Sequence, residues 1–486
     1  MNLSHAVLLC GMALMCVVAK AQPDYVLHAT PVGPLPVDPA ITRALASIKP
    51  QQIEQTVKAL VSFGTRNTLS SMETDLPPAQ GINAAAEWVA SQFDAISRQC
   101  GGCLEVKRDT FTADPASGAR WARRIPKPTR ITNVYAIQRG TDPAQAKRMV
   151  LVTGHYDSIN SNVRKNWADT SGAAPGANDD ASGVAVSLEC ARALSKLRFP
   201  GTIVYVAVAG EEQGLVGSAH LAKMAKDEGW DLEAVLNNDI VGGNTTPGDT
   251  LQLKNRVRVF SEGVPQVASP EQAQQIRDLG KENDSPSREL ARAIAETARC
   301  YFSNAAAAKS FSAFLVDRPD RYLRGGDHIS FNHEGFAAVR FTEWREDYNH
   351  QHQNIVMPAA GSSDPILGDL IQFVDFNFVA QVARLNAATL ATLAFAPGEP
   401  QKVTIQNKST ENGSTLTWEP PAGGGVAHYE VLWRETTATN WQYVKSIPAT
   451  TADAPATVTL PISKDNVIFG IRAVDAQGHH GLVVVP

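Results

Sequence analysis

Residues 202–209 read Thr-Ile-Val-Tyr-Val-Ala-Val-Ala, and one glycine later the chain sets two carboxylates side by side, Glu211 and Glu212. A short apolar run rich in β-branched residues reads as a strand buried on both faces. Two adjacent acids at the end of such a strand are costly to bury unless something pairs with them. A metal centre supplies that pairing. It also divides the roles, one carboxylate holding a cation while the other moves protons. The chain must therefore fold into a covered sheet whose strand ends carry polar chemistry.

The surrounding pattern agrees. Further strand-like runs lie at residues 132–138, 149–153, 234–240 and 337–342. Helical periodicity appears at 51–62, 81–97, 182–197 and 218–228. Apolar strands alternating with helices predict an α/β fold, a mainly parallel mixed sheet sandwiched by helices. Residues 243–285 are polar and contain Gly and Pro, so they read as an insertion; Ser285-Pro286 then opens a new helix. With 486 residues the chain exceeds one ordinary domain. Around 395–402 the composition shifts. Short alternating strands follow at 403–405, 415–418, 428–433, 443–447, 457–460 and 467–474, which predict a C-terminal all-β sandwich over 402–486. The expected organisation is an irregular N-terminal arm over 22–45, a large α/β domain over 46–395 and the sandwich.

Residues 1–21 read as a signal peptide. Residues 6–19 are apolar almost throughout, and Ala19-Lys20-Ala21 suits cleavage. Secretion, extracellular or periplasmic, is the expectation. No later apolar stretch is uninterrupted over a membrane length, so an integral membrane protein is not expected. The net charge of -5, without a basic run, argues against nucleic acid as a partner. Beyond residue 21 four cysteines remain. Cys100 and Cys103 are expected to close a small disulfide loop, and Cys190 to be a buried thiol.

Five segments carry the chemistry. His155 ends the strand at 149–153, where sites form in parallel sheets; Asp157, two residues on, can orient its imidazole. Gly176-Ala-Asn-Asp179-Asp-Ala-Ser-Gly183 sets acids between glycines before a helix, where a carboxylate can bridge two cations. Glu211-Glu212 is third, and Asp239, at the end of the strand at 234–240, is fourth. The fifth is the stretch 346–352, which offers His350 and His352. Histidine and carboxylate donors suit zinc, less often manganese or cobalt. A shared Asp is the mark of a co-catalytic pair of metals.

Together, His155-x-Asp157, the segment Gly176–Gly183, Glu211-Glu212-x-Gly214-Leu215-x-Gly217-Ser218 and Asp239 resemble the secreted di-zinc aminopeptidases of the bacterial leucyl aminopeptidase and aminopeptidase Y type. The resemblance covers residues 46–395. It implies two zinc ions, with Asp179 bridging both, His155 and Asp239 each serving one metal, and Glu212 and a late His on the second. That family ends on His followed four residues later by Asp. His350, with Asn354 in the place of that Asp, fits better than His352. Glu211 is then the general base, and Asp157 supports His155. His328, in Gly326-Asp327-His328-x-x-Phe331, is read as pocket-lining or structural. The implied substrates are peptides or proteins with a free N-terminus. Related alternatives are a carboxypeptidase, for which Arg321, Arg324 and Arg340 could bind a carboxylate, and a glutaminyl cyclase. A different alternative is an inactive surface-binding protein. Trp418, Tyr429-x-Val431-x-Trp433 and Phe469-x-Ile471-x-Ala473-Val474 resemble fibronectin type III modules, which suggests surface attachment.

Overall fold

Eight strands form the central sheet: β1 (Glu105–Ala113), β2 (Thr129–Gln138), β3 (Arg148–His155), β4 (Thr202–Val208), β5 (Asp231–Asn238), β6 (Arg256–Ser261), β7 (Ser312–Val316) and β8 (Ala338–Thr342). Their spatial order is β1-β2-β4-β3-β5-β8-β6-β7. The computed structural model describes residues 22–27, 29–303, 310–407, 411–449 and 454–486. Residues 1–21, read above as a signal peptide, lie outside them. Four of the seven pairings are parallel: β4 with β3, β3 with β5, β5 with β8, and β6 with β7. The other three are antiparallel. Every residue of β3 and of β4 is buried, as expected of strands covered on both faces. The carboxyl ends of β3, β4, β5 and β8 share one edge.

On one face lies the helix Ala181–Leu194, buried at every position except Arg192. The Asp180 side chain caps it, accepting from Gly183 N at 2.9 Å. Gly183 admits close packing here, since a Cβ would come within 2.2 Å of the Asn238 carbonyl. The helix Phe376–Phe395 packs alongside. It is long and apolar enough to cross a membrane, yet 78% of its most apolar window is buried, so it is a core helix. Asn386 anchors it to β5 through reciprocal amide hydrogen bonds with Asn238, at 2.9 and 3.0 Å. Val216–Asp227 and His328–His333 are joined on the other face by Ser218 and Ser330, whose hydroxyls lie 2.9 Å apart.

Two segments depart from the sequence reading. Residues 243–285 are more than an insertion, because β6 within them joins the sheet between β8 and β7. Its alternation, Arg256-Val257-Arg258-Val259, buries one face and leaves the arginines half-buried, so it lacks the continuous apolar run of a central strand. The arm also does not end at 45. The helix Pro39–Ala46 crosses that boundary and sends Ile41 and Leu45 into the main core, while Thr30–Pro31 pairs with a strand of the C-terminal sandwich. Cys100 and Cys103 form a disulfide, and Cys190 is buried.

That sandwich packs a three-stranded sheet (Gln401–Ile405, Ser414–Glu419, Ala456–Leu460) against a four-stranded one (Thr30–Pro31, Tyr443–Pro448, His428–Glu435, Val467–Val474). Alternating inward residues fill it, with Trp418, Trp433, Tyr429 and Ile471 buried between the sheets. It docks on the helix Pro286–Phe302, whose Glu289, Arg292 and Glu296 share a face by their spacing. Trp441 Nε1 donates to Glu289 Oε2 at 3.0 Å, Arg292 Nε to the Thr439 carbonyl at 2.7 Å, and Arg472 Nη1 to Glu296 Oε2 at 2.7 Å. Arg434 pairs with Asp284 where both side chains are almost fully buried. Breaking such a pair on one side strands a charge away from water. Arg434→Ala is therefore expected to lower the unfolding free energy by about 3–5 kcal/mol, read from urea denaturation of the full chain; a loss near zero would show that the pair does not hold the sandwich in place.

Candidate metal centre

Each candidate ligand leaves the sheet at the shared carboxyl edge. His155 is the last residue of β3, Asp239 follows β5, and Glu211 and Glu212 follow β4. Asp179 lies in the loop that enters the helix Ala181–Leu194, and its peptide bond to Asp180 is cis. Two triads result, each with donor atoms within 4.8 Å of one another: His155, Asp179 and Asp239, then Asp179, Glu212 and His352. Asp179 belongs to both. His155 Nε2 lies 3.1 Å from Asp179 Oδ1 and 3.8 Å from Asp239 Oδ1. His352 Nε2 lies 2.8 Å from both Asp179 Oδ2 and Glu212 Oε1.

These donors fit a cation better than they fit one another. His155 Nε2, Glu212 Oε1 and His352 Nε2 are buried, and none makes a hydrogen bond of acceptable geometry. Orphaned buried polar atoms are rare without a partner such as an ion. Loss of solvent, reinforced by the charges of Asp239, Glu212 and Asp327, pushes the Glu211 carboxyl well above the usual range. Glu211 also faces the cleft that runs over the site, a cavity of about 1520 Å³.

The late histidine is His352, not His350. The ring of His350 stacks on Phe373 at 3.5 Å and turns Nδ1 toward Thr246 and Asn244. The short helical turn Tyr348–His350 ends there, and His352 then takes a left-handed φ of 55° that turns it into the cleft. Asn354, which stands in for the family's Asp, hydrogen-bonds Asn162 instead. His328 is buried and donates from Nε2 to the Pro319 carbonyl at 2.7 Å, away from both triads.

Behind the donors stands a second layer. His155 Nδ1 donates to the Asp157 carbonyl at 3.2 Å, which leaves Nε2 free for the centre. The Asp157 carboxylate accepts from Thr68 Oγ1 at 3.1 Å and from the main-chain N–H groups of Glu211 and Glu212 at 3.3 and 3.2 Å. It thus fixes both halves of the acid pair as well as His155. Asp369 accepts from Asn178 N and Asp179 N at 2.8 and 2.7 Å. Arg66, fully buried, donates to the carbonyls of Tyr156 and Gly176 at 2.7 and 2.8 Å. Arg340 is buried too, with Nη2 at 2.9 Å from Asp239 Oδ1 and Nη1 at 3.3 Å from Asp320 Oδ2. Burial alone would raise the Asp239 carboxyl; the Arg340 guanidinium and the His155 imidazole together outweigh it and hold that carboxyl below its ordinary value. Sequence reasoning missed Thr68, Asp369 and Arg66, and considered Arg340 only as a carboxylate contact in the carboxypeptidase alternative.

Residues 133–364 match peptidase family M28. A probable zinc metalloprotease of Pyrenophora teres f. teres is 41% identical over 93% of this chain and 88% of its own length. One of Pyricularia oryzae is 43% identical over 92% and 84%. The chain belongs to peptidase family M28. Among solved structures, the LapA aminopeptidase of Legionella pneumophila aligns with 74% of this chain and 76% of its own, at 18% identity and a TM-score of 0.47. The M28 match takes in both triads, Glu211 and Asp157, and leaves the sandwich outside.

In this M28 chain, His352→Ala is expected to remove metal from the full-length protein, measured by elemental analysis after dialysis, while His350→Ala retains it. Asp369→Asn, which turns an amide toward the main-chain donors of Asp179, should weaken metal affinity about 10–100-fold, read by competition with a chromogenic chelator. Retention by His352→Ala together with loss by His350→Ala would reverse the assignment.

Proposed function

We propose that this M28 chain is a secreted aminopeptidase that uses two zinc ions to hydrolyse the N-terminal bond of peptides. The observation that carries the reading is the Asp179 carboxylate, which serves both triads while Glu211 faces the same cleft. Donors of imidazole and carboxylate type suit zinc, and the fungal relatives are named as zinc metalloproteases. His155 and Asp239 would hold one ion, Glu212 and His352 the other, and Asp179 would bridge them.

When bound, the pair acidifies a water to a pKa of about 7 and polarises the scissile carbonyl. Glu211 takes a proton from the attacking water onto its carboxylate and returns it to the leaving amine. Asp157, holding the N–H groups of Glu211 and Glu212, keeps the base and its neighbouring ligand in register. Asp179, Glu211, Glu212 and Asp239 form the floor of the cleft, and two bound zinc ions would balance their four charges.

The carboxypeptidase alternative is less well supported by the arginines that suggested it. Arg340 is bound to Asp239 and Asp320, and Arg321 to Asp320 and Glu346. Secretion is supported by the apolar run at 6–19 and by the Cys100–Cys103 disulfide, a bond of oxidising compartments. The fibronectin type III-like reading rests on the sequence pattern of Trp418, Tyr429-x-Val431-x-Trp433 and Phe469-x-Ile471-x-Ala473-Val474, and the pairs Arg434–Asp284 and Arg472–Glu296 join the sandwich to the large domain.

The test uses one peptide and its N-acetylated twin, with and without chelator, followed by mass spectrometry. Loss of N-terminal residues from the free peptide alone, abolished by chelator and restored by zinc, is the expected result. Glu211→Ala should lower turnover by about 10²–10⁴-fold with two zinc ions per chain retained. Indifference to acetylation would remove the aminopeptidase reading, and unchanged turnover would remove Glu211 as the base.

A further inference from the structure

The cleft has two electrostatic zones. Its floor carries four carboxylates, Asp179, Glu211, Glu212 and Asp239, and among the described residues no other acid lines it. Two divalent cations bring four positive charges and cancel that floor. Its walls then dominate, and these are basic. Arg120, Arg123 and Arg164 line the cleft, are exposed, and have no carboxylate partner among the described residues. The chain as a whole is acidic, at -5, so three unpaired arginines in one cleft stand against its general charge.

This wall is fixed to the site. Arg120–Arg124 is a short 3-10 turn. Its last residue, Arg124, donates from Nη1 to the Glu212 carbonyl at 3.2 Å and lies over the Trp167 ring at 5.2 Å. Trp121 covers Gly214 in the loop that follows the acid pair. The segment bearing Arg164 meets the same wall through Trp167. The unpaired guanidinium groups therefore line the same cleft as the reacting groups and are exposed to solvent.

We propose that this arginine wall recognises carboxylates in the part of the substrate beyond the scissile residue, so that the favoured substrates are peptides with a free amine and an acidic body. The proposal rests on the two-cation reading, because only an occupied floor leaves the walls dominant. The amine end meets the floor, and the acidic body lies along the wall. Guanidinium is suited to this task, presenting several donors to a carboxylate. Each exposed pair contributes a factor of about two to five, so three together give a preference on the order of tenfold, and salt should erase most of it.

The test is binding to the zinc-loaded Glu211→Ala chain, which cuts peptide about 10²–10⁴-fold more slowly. Calorimetry would compare Leu-Ala-Glu-Glu, Leu-Ala-Gln-Gln and Leu-Ala-Lys-Lys, each as amide and as free acid. We expect the Glu amide to bind about tenfold tighter than the Gln amide, the Lys amide to bind weakest, and the gap to close in about 0.5 M salt. Adding Arg120→Gln, Arg123→Gln and Arg164→Gln should bring Glu and Gln amides within about twofold while leaving the Gln amide unchanged. A gain confined to the free acids would assign the wall to the chain terminus instead of side chains. Equal affinities throughout, or a preference that survives both the triple substitution and high salt, would overturn the proposal. Turnover by the unsubstituted chain separates the two readings: acidic peptides bound tightly but never shortened from the N-terminus would sink the aminopeptidase and leave the wall intact.

Discussion

Everything near the sheet edge follows from one carboxylate, that of Asp179. It stands 3.1 Å from one imidazole nitrogen and 2.8 Å from another, and so it joins two donor sets that would otherwise be separate. A carboxylate in this position can be stable only if its own main chain is immobile. Asp369 meets that need by accepting the N–H groups of Asn178 and Asp179. Arg66 closes the segment from the other side through the Gly176 carbonyl. Gly176 itself cannot be replaced without conflict, since a Cβ there would lie 2.5 Å from the Asp179 carbonyl.

The same logic extends along the edge. Of the six non-glycine residues with left-handed φ among the described residues, four line the cleft: Leu215, Ile240, Leu323 and His352. Such conformations cost free energy and persist where surrounding contacts over-determine them. Here each lies close to a chemical group: Leu215 after the acid pair, Ile240 after Asp239, His352 as a donor itself. The core supplies the rigidity. The helices Ala181–Leu194 and Phe376–Phe395 are almost wholly buried against the sheet, so the strand ends have little freedom to relax.

How much of this could be read in advance depended on whether a residue acts where the chain already signals an element. His155, Asp239 and Glu211-Glu212 stand at the ends of apolar strands, and Asp179 stands before a helix, so their convergence was legible. His352 was not. Two histidines separated by one residue in an irregular loop differ only in backbone direction, and spacing to a downstream acid pointed to the wrong one. Asp369, Arg66 and Thr68 act through main-chain groups far away in sequence, with no periodic trace. Arg340 sits inside an apolar strand, where a buried guanidinium demands acids, but nothing local names them. The strands β1, at one edge, and β6, between β8 and β7, hid for a related reason. Charged residues on their outer faces broke the continuous apolar run that identified the central strands.

The two triads are also unequal in charge. Both share Asp179, and each adds one imidazole and one further carboxylate. The carboxylate of the first, Asp239, is hydrogen-bonded at 2.9 Å to the buried guanidinium of Arg340. That of the second, Glu212, faces only His352 and its neighbours, and the nearby Arg124 reaches its main-chain carbonyl, not its side chain. The acid of the first triad therefore has a guanidinium partner, shared with Asp320, that the acid of the second lacks. A buried arginine beside an acid would normally signal a structural ion pair. Here it reduces the electron density that Asp239 can offer a cation, so the scaffold itself distinguishes two positions that the ligand types alone would make equivalent.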